Sequence, residues 1–403
     1  MVCHNTHKKQ FCNVFLFAFF SNFLYFPVMK ILILLSKFAY GGAERVTLNL
    51  ATEWRDAGAD VTITVLSSEQ YDAYSIPDGI RHISLNIPGH PNSILSILRN
   101  NVAPIFAVRR LLRRERPDIV IGSINISVII LSLACTRDEI SIGHEHGHPP
   151  NSFSGMAAWI WNLIRRFSYF RLDGVVALTP QSAEWLRKNT HARKIVSIPN
   201  SISLPLPDNK PKIEPKDIVP ANKRLLLASG RLHPHKRFDR LLDAFAQIAP
   251  HYPDWHLVIL GEGDLREDLE TQVRLLDLTQ RVSLPGFAGN VADWYRFADA
   301  LIITSETEGF PMVLLEAMAH GCPVISVDCP VGPRNIIDNG ENGLLVAQDT
   351  NAIIEALDRM LSDDALRKRL ASKAVEVLET YSPARVNAKW QDLFDKSLQK
   401  RRV

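Results

Sequence analysis

From Met29 onward the chain repeats one pattern. A short apolar run, rich in β-branched residues, is followed by a longer stretch whose apolar positions recur every three or four residues. Uncharged runs suit strands buried on both faces, and the longer stretches suit helices covering them, the mark of βαβ units around a parallel sheet. The runs Ile31–Leu35, Val61–Leu66, Ile119–Gly122, Ile140–Gly143, Gly174–Leu178 and Ile195–Ile198 predict strands. A helix is predicted over Ala43–Ala57, opening after Gly41 and Gly42 and closing at Gly58.

Residues 199–223 break this rhythm with six prolines, at 199, 205, 207, 211, 215 and 220, and little apolar content. That composition predicts an interdomain linker. A second alternation follows, with strands at Arg224–Ala228, Trp255–Leu260, Val282–Leu284, Ala300–Thr304, Pro323–Ser326 and Leu344–Val346. Helices are expected at Phe238–Ala249, Leu265–Leu276 and Val291–Phe297, and from Pro311 to His320 with proline at its first position. A last helix runs from Pro383 to Leu398 behind an N-cap Ser382. The expected fold is α/β, with two doubly wound Rossmann-like domains facing each other across a cleft. Residues 29–198 form the amino-terminal domain, 199–223 the linker and 224–380 the carboxyl-terminal domain. Residues 381–403 form a helix packing back toward the first domain.

Residues 1–28 stand apart. Phe11 to Val28 is apolar and aromatic behind Lys8 and Lys9, yet lacks an Ala-x-Ala cleavage site and contains Asn13, Ser21 and Asn22. The segment is read as a mis-assigned start, with a hydrophobic anchor as the alternative. No other stretch approaches the length of a spanning helix.

At 403 residues, 46% hydrophobic and 22% charged, the chain excludes global disorder and has room for two cores. Cys3, Cys12, Cys135, Cys322 and Cys329 are scattered without Cys-x-x-Cys spacing, which fits a reducing cytoplasm rather than a disulfide framework or a zinc site. The net charge of +3 is unevenly shared: residues 1–200 carry a balance of +7 and the remainder −4. Ile105–Arg116 and Trp159–Leu172 each mix arginines with aromatic and aliphatic residues at helical spacing. Such stretches suit an anionic membrane interface, with an ordinary solvated helix face as the alternative. A near-neutral total without a recognition motif disfavours nucleic acid.

The candidate chemistry gathers at strand ends. Glu308-Gly309-Phe310-Pro311-Met312 follows an apolar strand, and Glu316 lies about two turns inside the next helix. In open α/β sheets ligands bind at the carboxyl ends of strands, and the free amides of a helix start favour phosphate. Arg231 and Lys236 follow Gly230 at another strand end, where a fork and a point charge can straddle a diphosphate. Gly41 and Gly42 allow close approach of backbone to a phosphate. Phosphate donors beside carboxylates that accept from hydroxyls suit a nucleotide sugar. His144-Glu145-His146-Gly147-His148 would place three histidines on one face of an extended strand, a spacing that suits zinc, but no distant carboxylate or second histidine motif completes such a site.

Gly41-Gly42-Ala43-Glu44, Gly230-Arg231 with Lys236, and Ser305 through Ser326 together resemble the family 4 retaining glycosyltransferases of the GT-B fold, over essentially all of residues 29–400. The resemblance implies that Arg231 and Lys236 hold the donor diphosphate and offset leaving-group charge. It also implies that Glu308 reads the donor sugar, with the Gly309, Phe310, Pro311 and Met312 backbone beside it, and that Glu316 holds the ribose. It places a histidine near the reacting sugar carbon. The Glu145-His146 pair matches best, with His144 as runner-up, because extra histidines flank the pair on both sides.

The implied activity is transfer of a hexose or N-acetylhexosamine from a nucleotide sugar, UDP-linked by preference with a GDP-sugar as the alternative, and with neither metal nor cofactor. Asp328-Cys329-Pro330-Val331-Gly332-Pro333-Arg334 resembles enzymes of bacterial capsule and lipopolysaccharide assembly. A lipid-linked glycan acceptor at the cytoplasmic face of the inner membrane is therefore expected. Alternatives are a nucleotide-sugar epimerase or hydrolase of the same fold, and a non-catalytic glycan-binding module. Intact Arg231, Lys236, Glu308 and Glu316 argue against the module.

Overall fold

A computed structural model describes residues 29–38, 41–68, 75–87, 94–151, 155–402 of the chain. The expectations for residues 1–28 fall outside them. The first unit runs β1 (Lys30–Leu35), α1 (Gly42–Asp56), β2 (Asp60–Val65), β3 (Arg81–Ser84), α2 (Ile94–Glu115), β4 (Ile119–Ser123), α3 (Asn125–Ala134) and β5 (Ile140–Glu145). It continues with α4 (Gly155–Ser168), β6 (Gly174–Ala177), α5 (Pro180–Asn189) and β7 (Ile195–Ser197). The sheet order is β3-β2-β1-β4-β5-β6-β7, every pair parallel.

The second unit runs β8 (Arg224–Ser229), α6 (Phe238–Ile248), β9 (Trp255–Leu260), α7 (Arg266–Leu275), β10 (Val282–Gly286), α8 (Val291–Phe297) and β11 (Ala300–Ile303). Then come α9 (Met312–Ala319), β12 (Val324–Val327), β13 (Leu344–Val346), α10 (Thr350–Ser362), α11 (Asp364–Ala374) and α12 (Pro383–Arg402). Its sheet is also parallel, ordered β10-β9-β8-β11-β12-β13.

Each sheet reverses direction once, between β1 and β4 and between β8 and β11. At such a switch point the flanking loops leave on opposite faces and open a crevice. The two crevices face each other, and residues from both line one cavity. This is the GT-B architecture.

The proline-rich segment lies against the second unit. Ile213 exchanges two hydrogen bonds with the Asn290 side chain, at 3.0 and 3.2 Å, and its carbonyl accepts from the Trp294 indole at 2.9 Å. Helix α12 crosses to the first unit, where Trp390 meets Trp54 edge-on at 5.5 Å and Asn387 accepts from the Trp54 indole at 3.1 Å.

Helices α3, α5, α10 and α11 have no counterpart among the expected elements, and pattern and structure part further at three places. Strand β3 was not predicted: Arg-His-Ile-Ser is short, and none of its residues is fully buried, as befits an edge. Pro311 is the N-cap with extended backbone, so α9 starts at Met312 and Glu316 sits just over one turn inside it. Helix α4 is inverted: Arg165 is buried while Trp159, Ile160, Leu163 and Phe167 are exposed.

Candidate functional site

The cleft holds a cavity of about 840 Å³, within the range of small-molecule sites. Every residue named from the sequence as a donor contact lines it: Gly41, Gly42, Gly230, Arg231, Lys236, Glu308, Gly309, Phe310, Pro311, Met312 and Glu316, with His146.

Two loops carry the charged wall. The Thr304 hydroxyl at the end of β11 donates to the Lys236 carbonyl at 3.0 Å, and the Glu306 amide donates to the His235 carbonyl at 2.8 Å. These ties bring the two loops together, so that Lys236 Nζ lies 2.6 Å from Glu308 Oε1. Both partners retain some exposure, 27% and 12%, so the pair is open to a ligand. Arg231 has no salt bridge among the described residues and stands exposed beside them. Gly261 lets these turns close up, since a Cβ there would lie 1.9 Å from the Gly230 carbonyl oxygen. The Gly261-Glu262-Gly263 turn therefore lines the same cavity.

Glu316 lies deeper, 1% exposed, and the Tyr295 hydroxyl donates to its Oε2 at 3.1 Å. Its other oxygen pairs with Arg45 from α1, so this ion pair bridges the two units. Burial pushes the Tyr295 hydroxyl pKa well above its usual range, which keeps it a donor. Helix α9 starts at the cavity without a side-chain cap and presents its first-turn amides there, whereas at the start of α1 the Glu44 carboxylate folds back to its own amide and lies over Gly41.

The first unit closes the site with His146. A Cβ on Gly309 would lie 2.3 Å from the His146 carbonyl oxygen, so the glycine is what lets the loops of the two units touch. The His146 Nε2 lies 2.9 Å from Ser123 Oγ, and burial lowers its pKa to about 3, leaving a neutral ring. His144 sits behind it, ring centroids 4.0 Å apart, and meets Trp390 at 5.0 Å. His148 lies 3.1 Å from the Ser182 hydroxyl and lines a smaller adjoining pocket with Arg231, Lys236 and Glu308. Glu145 points to the opposite side of the strand, where Arg165 Nε lies 3.4 Å away and the Tyr169 hydroxyl donates to it, all three fully buried. Among the described residues, no group of three His, Cys, Asp or Glu side chains could hold a metal ion.

Arg45, Tyr295, Ser123 and Thr47 were not singled out from the sequence. Arg45 directly follows the glycine loop, and its cation was the signal available. The others are ordinary hydroxyls whose partners lie 21 to 76 residues away.

Two Rossmann-like sheets with a ligand-sized cavity between their switch points, lined by cations, carboxylates and helix starts, define a class of group-transfer enzyme. Comparison with known families gives it a name. Residues 40–205 match the model described as "Glycosyltransferase Family 4", and residues 209–377 match "Glycosyl transferases group 1". The two matches together span most of the chain, which belongs to the family 4 glycosyltransferases.

One relative is the amylovoran biosynthesis glycosyltransferase AmsD of Erwinia amylovora, 27% identical over 91% of this chain and 99% of AmsD. Another is an α-1,4-N-acetyl-D-galactosaminyltransferase of Campylobacter jejuni, 24% identical over 91% of this chain and 98% of its own. The Campylobacter enzyme's name gives it a PP-undecaprenol-linked GalNAc glycan. Among solved structures, Anabaena HepE in complex with UDP and glucose shares the fold with a TM-score of 0.73 and 21% identity, covering 91% of this chain and all of HepE.

Proposed function

We propose that this glycosyltransferase moves a hexose or N-acetylhexosamine from a UDP-sugar to a hydroxyl of a lipid-linked bacterial surface glycan, with retention at the anomeric carbon. The reading rests above all on the Lys236–Glu308 pair beside Arg231, which has no ion pair among the described residues, with Glu316 at the deeper end of the same cavity. In this reading the donor diphosphate draws Lys236 and Arg231, which releases Glu308 to the sugar hydroxyls. Glu316 exchanges its Arg45 contact for the ribose diol. The bond from the anomeric carbon to the phosphate oxygen breaks as the acceptor oxygen bonds to the same face. The acceptor proton passes to the departing phosphate, and nucleoside diphosphate leaves. Arg231, Lys236 and the amides at the start of α9 offset the charge that develops on the phosphate, a role a metal ion plays in other sites. No cofactor takes part.

The acceptor is brought at a cytoplasmic membrane face. Helices α2 and α4 both pack on α3, and Arg109 and Arg171 both donate to carbonyls at its carboxyl end, at distances from 2.8 to 3.2 Å. Val102 and Phe106 of α2, and Trp159, Ile160, Leu163 and Phe167 of α4, stay exposed among arginines. Apolar side chains with flanking cations suit an anionic bilayer surface. Among the described residues no helix is long and apolar enough to cross a membrane.

The test is a screen of nucleotide sugars with a lipid-linked saccharide acceptor, with the product's anomeric configuration read by NMR and a chelator present. UDP-sugar turnover with an α-linked product is expected. An inverted product, donor hydrolysis without transfer, or abolition by chelator contradicts the reading.

A further inference from the structure

Three hydrogen bonds lead from α1 to His146, and their directions follow from proton counting. The Thr47 hydroxyl lies 2.9 Å from the Ala43 carbonyl, which can only accept, so Thr47 spends its single proton there. Thr47 Oγ1 also lies 2.9 Å from Ser123 Oγ, so Ser123 must be the donor of that bond. Ser123 has no second proton. Its 2.9 Å contact with His146 Nε2 therefore requires a proton on that nitrogen. The ring is neutral, so Nδ1 carries its lone pair, and no described residue hydrogen-bonds to it.

The backbone holds this arrangement under strain. Ile124, directly after Ser123, takes φ of 72°, a left-handed conformation that a β-branched residue rarely adopts, while its amide donates to the His144 carbonyl at 3.1 Å. Thr47 and Ser123 are 2% and 0% exposed, so water does not compete for their protons.

We propose that Thr47 and Ser123 are positioning residues that fix His146 as the Nε2–H tautomer and leave Nδ1 as an acceptor in the cavity His146 lines, so that the site selects donor sugars with a hydroxyl, not a carboxylate, at this position. The selectivity half rests on the glycosyltransferase reading; the tautomer half does not. A hydroxyl donates to the lone pair, whereas a uronate carboxylate is itself an acceptor and meets repulsion.

The experiment uses the full chain with ¹⁵N-labelled histidine. Long-range proton–nitrogen correlations read the tautomer, and His146→Gln assigns the signals. Wild type should show Nε2–H. Thr47→Val keeps the shape but frees the Ser123 proton, so the Nδ1–H form should gain population, while Thr47→Ser should restore the wild-type pattern. With UDP-hexose as donor, kcat/KM should fall about tenfold in Thr47→Val, recover in Thr47→Ser, and the preference over the matching UDP-uronate should shrink. Wild type as Nδ1–H overturns the proposal. So does a Thr47→Val protein with unchanged tautomer and preference, or a Thr47→Ser protein that behaves like the valine variant. The expected tautomer pattern without any sugar transfer would leave the relay standing and sink the glycosyltransferase reading instead.

Discussion

The two walls of the cleft treat charge in opposite ways. On the carboxyl-terminal wall Lys236 and Glu308 pair in the open cavity, partly exposed, with Arg231 beside them. On the amino-terminal wall the ring that faces the cavity is neutral, and its neighbours Ser123 and Thr47 are hydroxyls. Behind the strand, the Arg165–Glu145 ion pair is sealed from solvent, while Arg45 of the same unit reaches across the cleft to Glu316. A pair within reach of water can trade its partner for a ligand at little cost; a sealed pair cannot, because each lost contact leaves a desolvated charge. The open wall is therefore suited to hold phosphate, and the sealed wall to hold shape.

Removing one partner from each pair should separate the roles most sharply. Arg165→Met leaves Glu145 buried without its cation and should destabilise the fold by about 3–5 kcal/mol, read by urea unfolding, whereas Lys236→Ala should cost under about 1 kcal/mol. Equal losses would erase the distinction.

In turnover the order reverses. Lys236→Ala should lower kcat about 10²- to 10³-fold, the scale of losing a preorganised charge at a leaving group, and Glu308→Ala, which removes the contact to the sugar hydroxyls, should lower it by a similar factor. A smaller loss than that of Thr47→Val would move the chemistry to the other wall.

Acid should weaken the neutral wall. The folded pKa of His146, about 3, lies below the unfolded value of 6.5, so below pH 6.5 the unfolded chain takes up a proton that the folded one refuses. Stability from this group is therefore lost as pH falls from 6.5 toward 3, by about 2 kcal/mol at pH 5. The stability gap between pH 7.5 and pH 5 should narrow by that amount in His146→Gln; an unchanged gap would mean the ring is charged in the folded state.

The smallest effect belongs to the outer face. Trp159→Ser and Phe167→Ser should change stability by under about 0.5 kcal/mol while abolishing sedimentation with anionic vesicles. Retained sedimentation would detach the membrane from these helices.

How much of this was legible in the sequence follows the range of the interactions. Trp255–Leu260, Val291–Phe297 and Leu344–Val346 have the predicted limits because continuous burial or amphipathic spacing writes local structure into local sequence. The cavity-lining loops were legible because glycine, proline and charge cluster at strand ends. Helices α10 and α11 went unread, and so did β3, whose half-buried edge position blurs alternation. The Arg45–Glu316 bridge spans 271 positions and the Trp54–Asn387 bond 333, so neither leaves a mark within any window of the chain. Arg165 read as part of a basic surface because only the fold shows that the helix turns its aromatic side outward.

The most direct measurement is calorimetric titration of UDP into the wild type, Glu316→Ala and Lys236→Ala. Saturable binding by the wild type, with affinity about tenfold weaker or worse in each variant, is the expected result. Equal affinity in all three proteins, or no binding by the wild type to UDP or any nucleotide sugar, would contradict a donor site in this cleft.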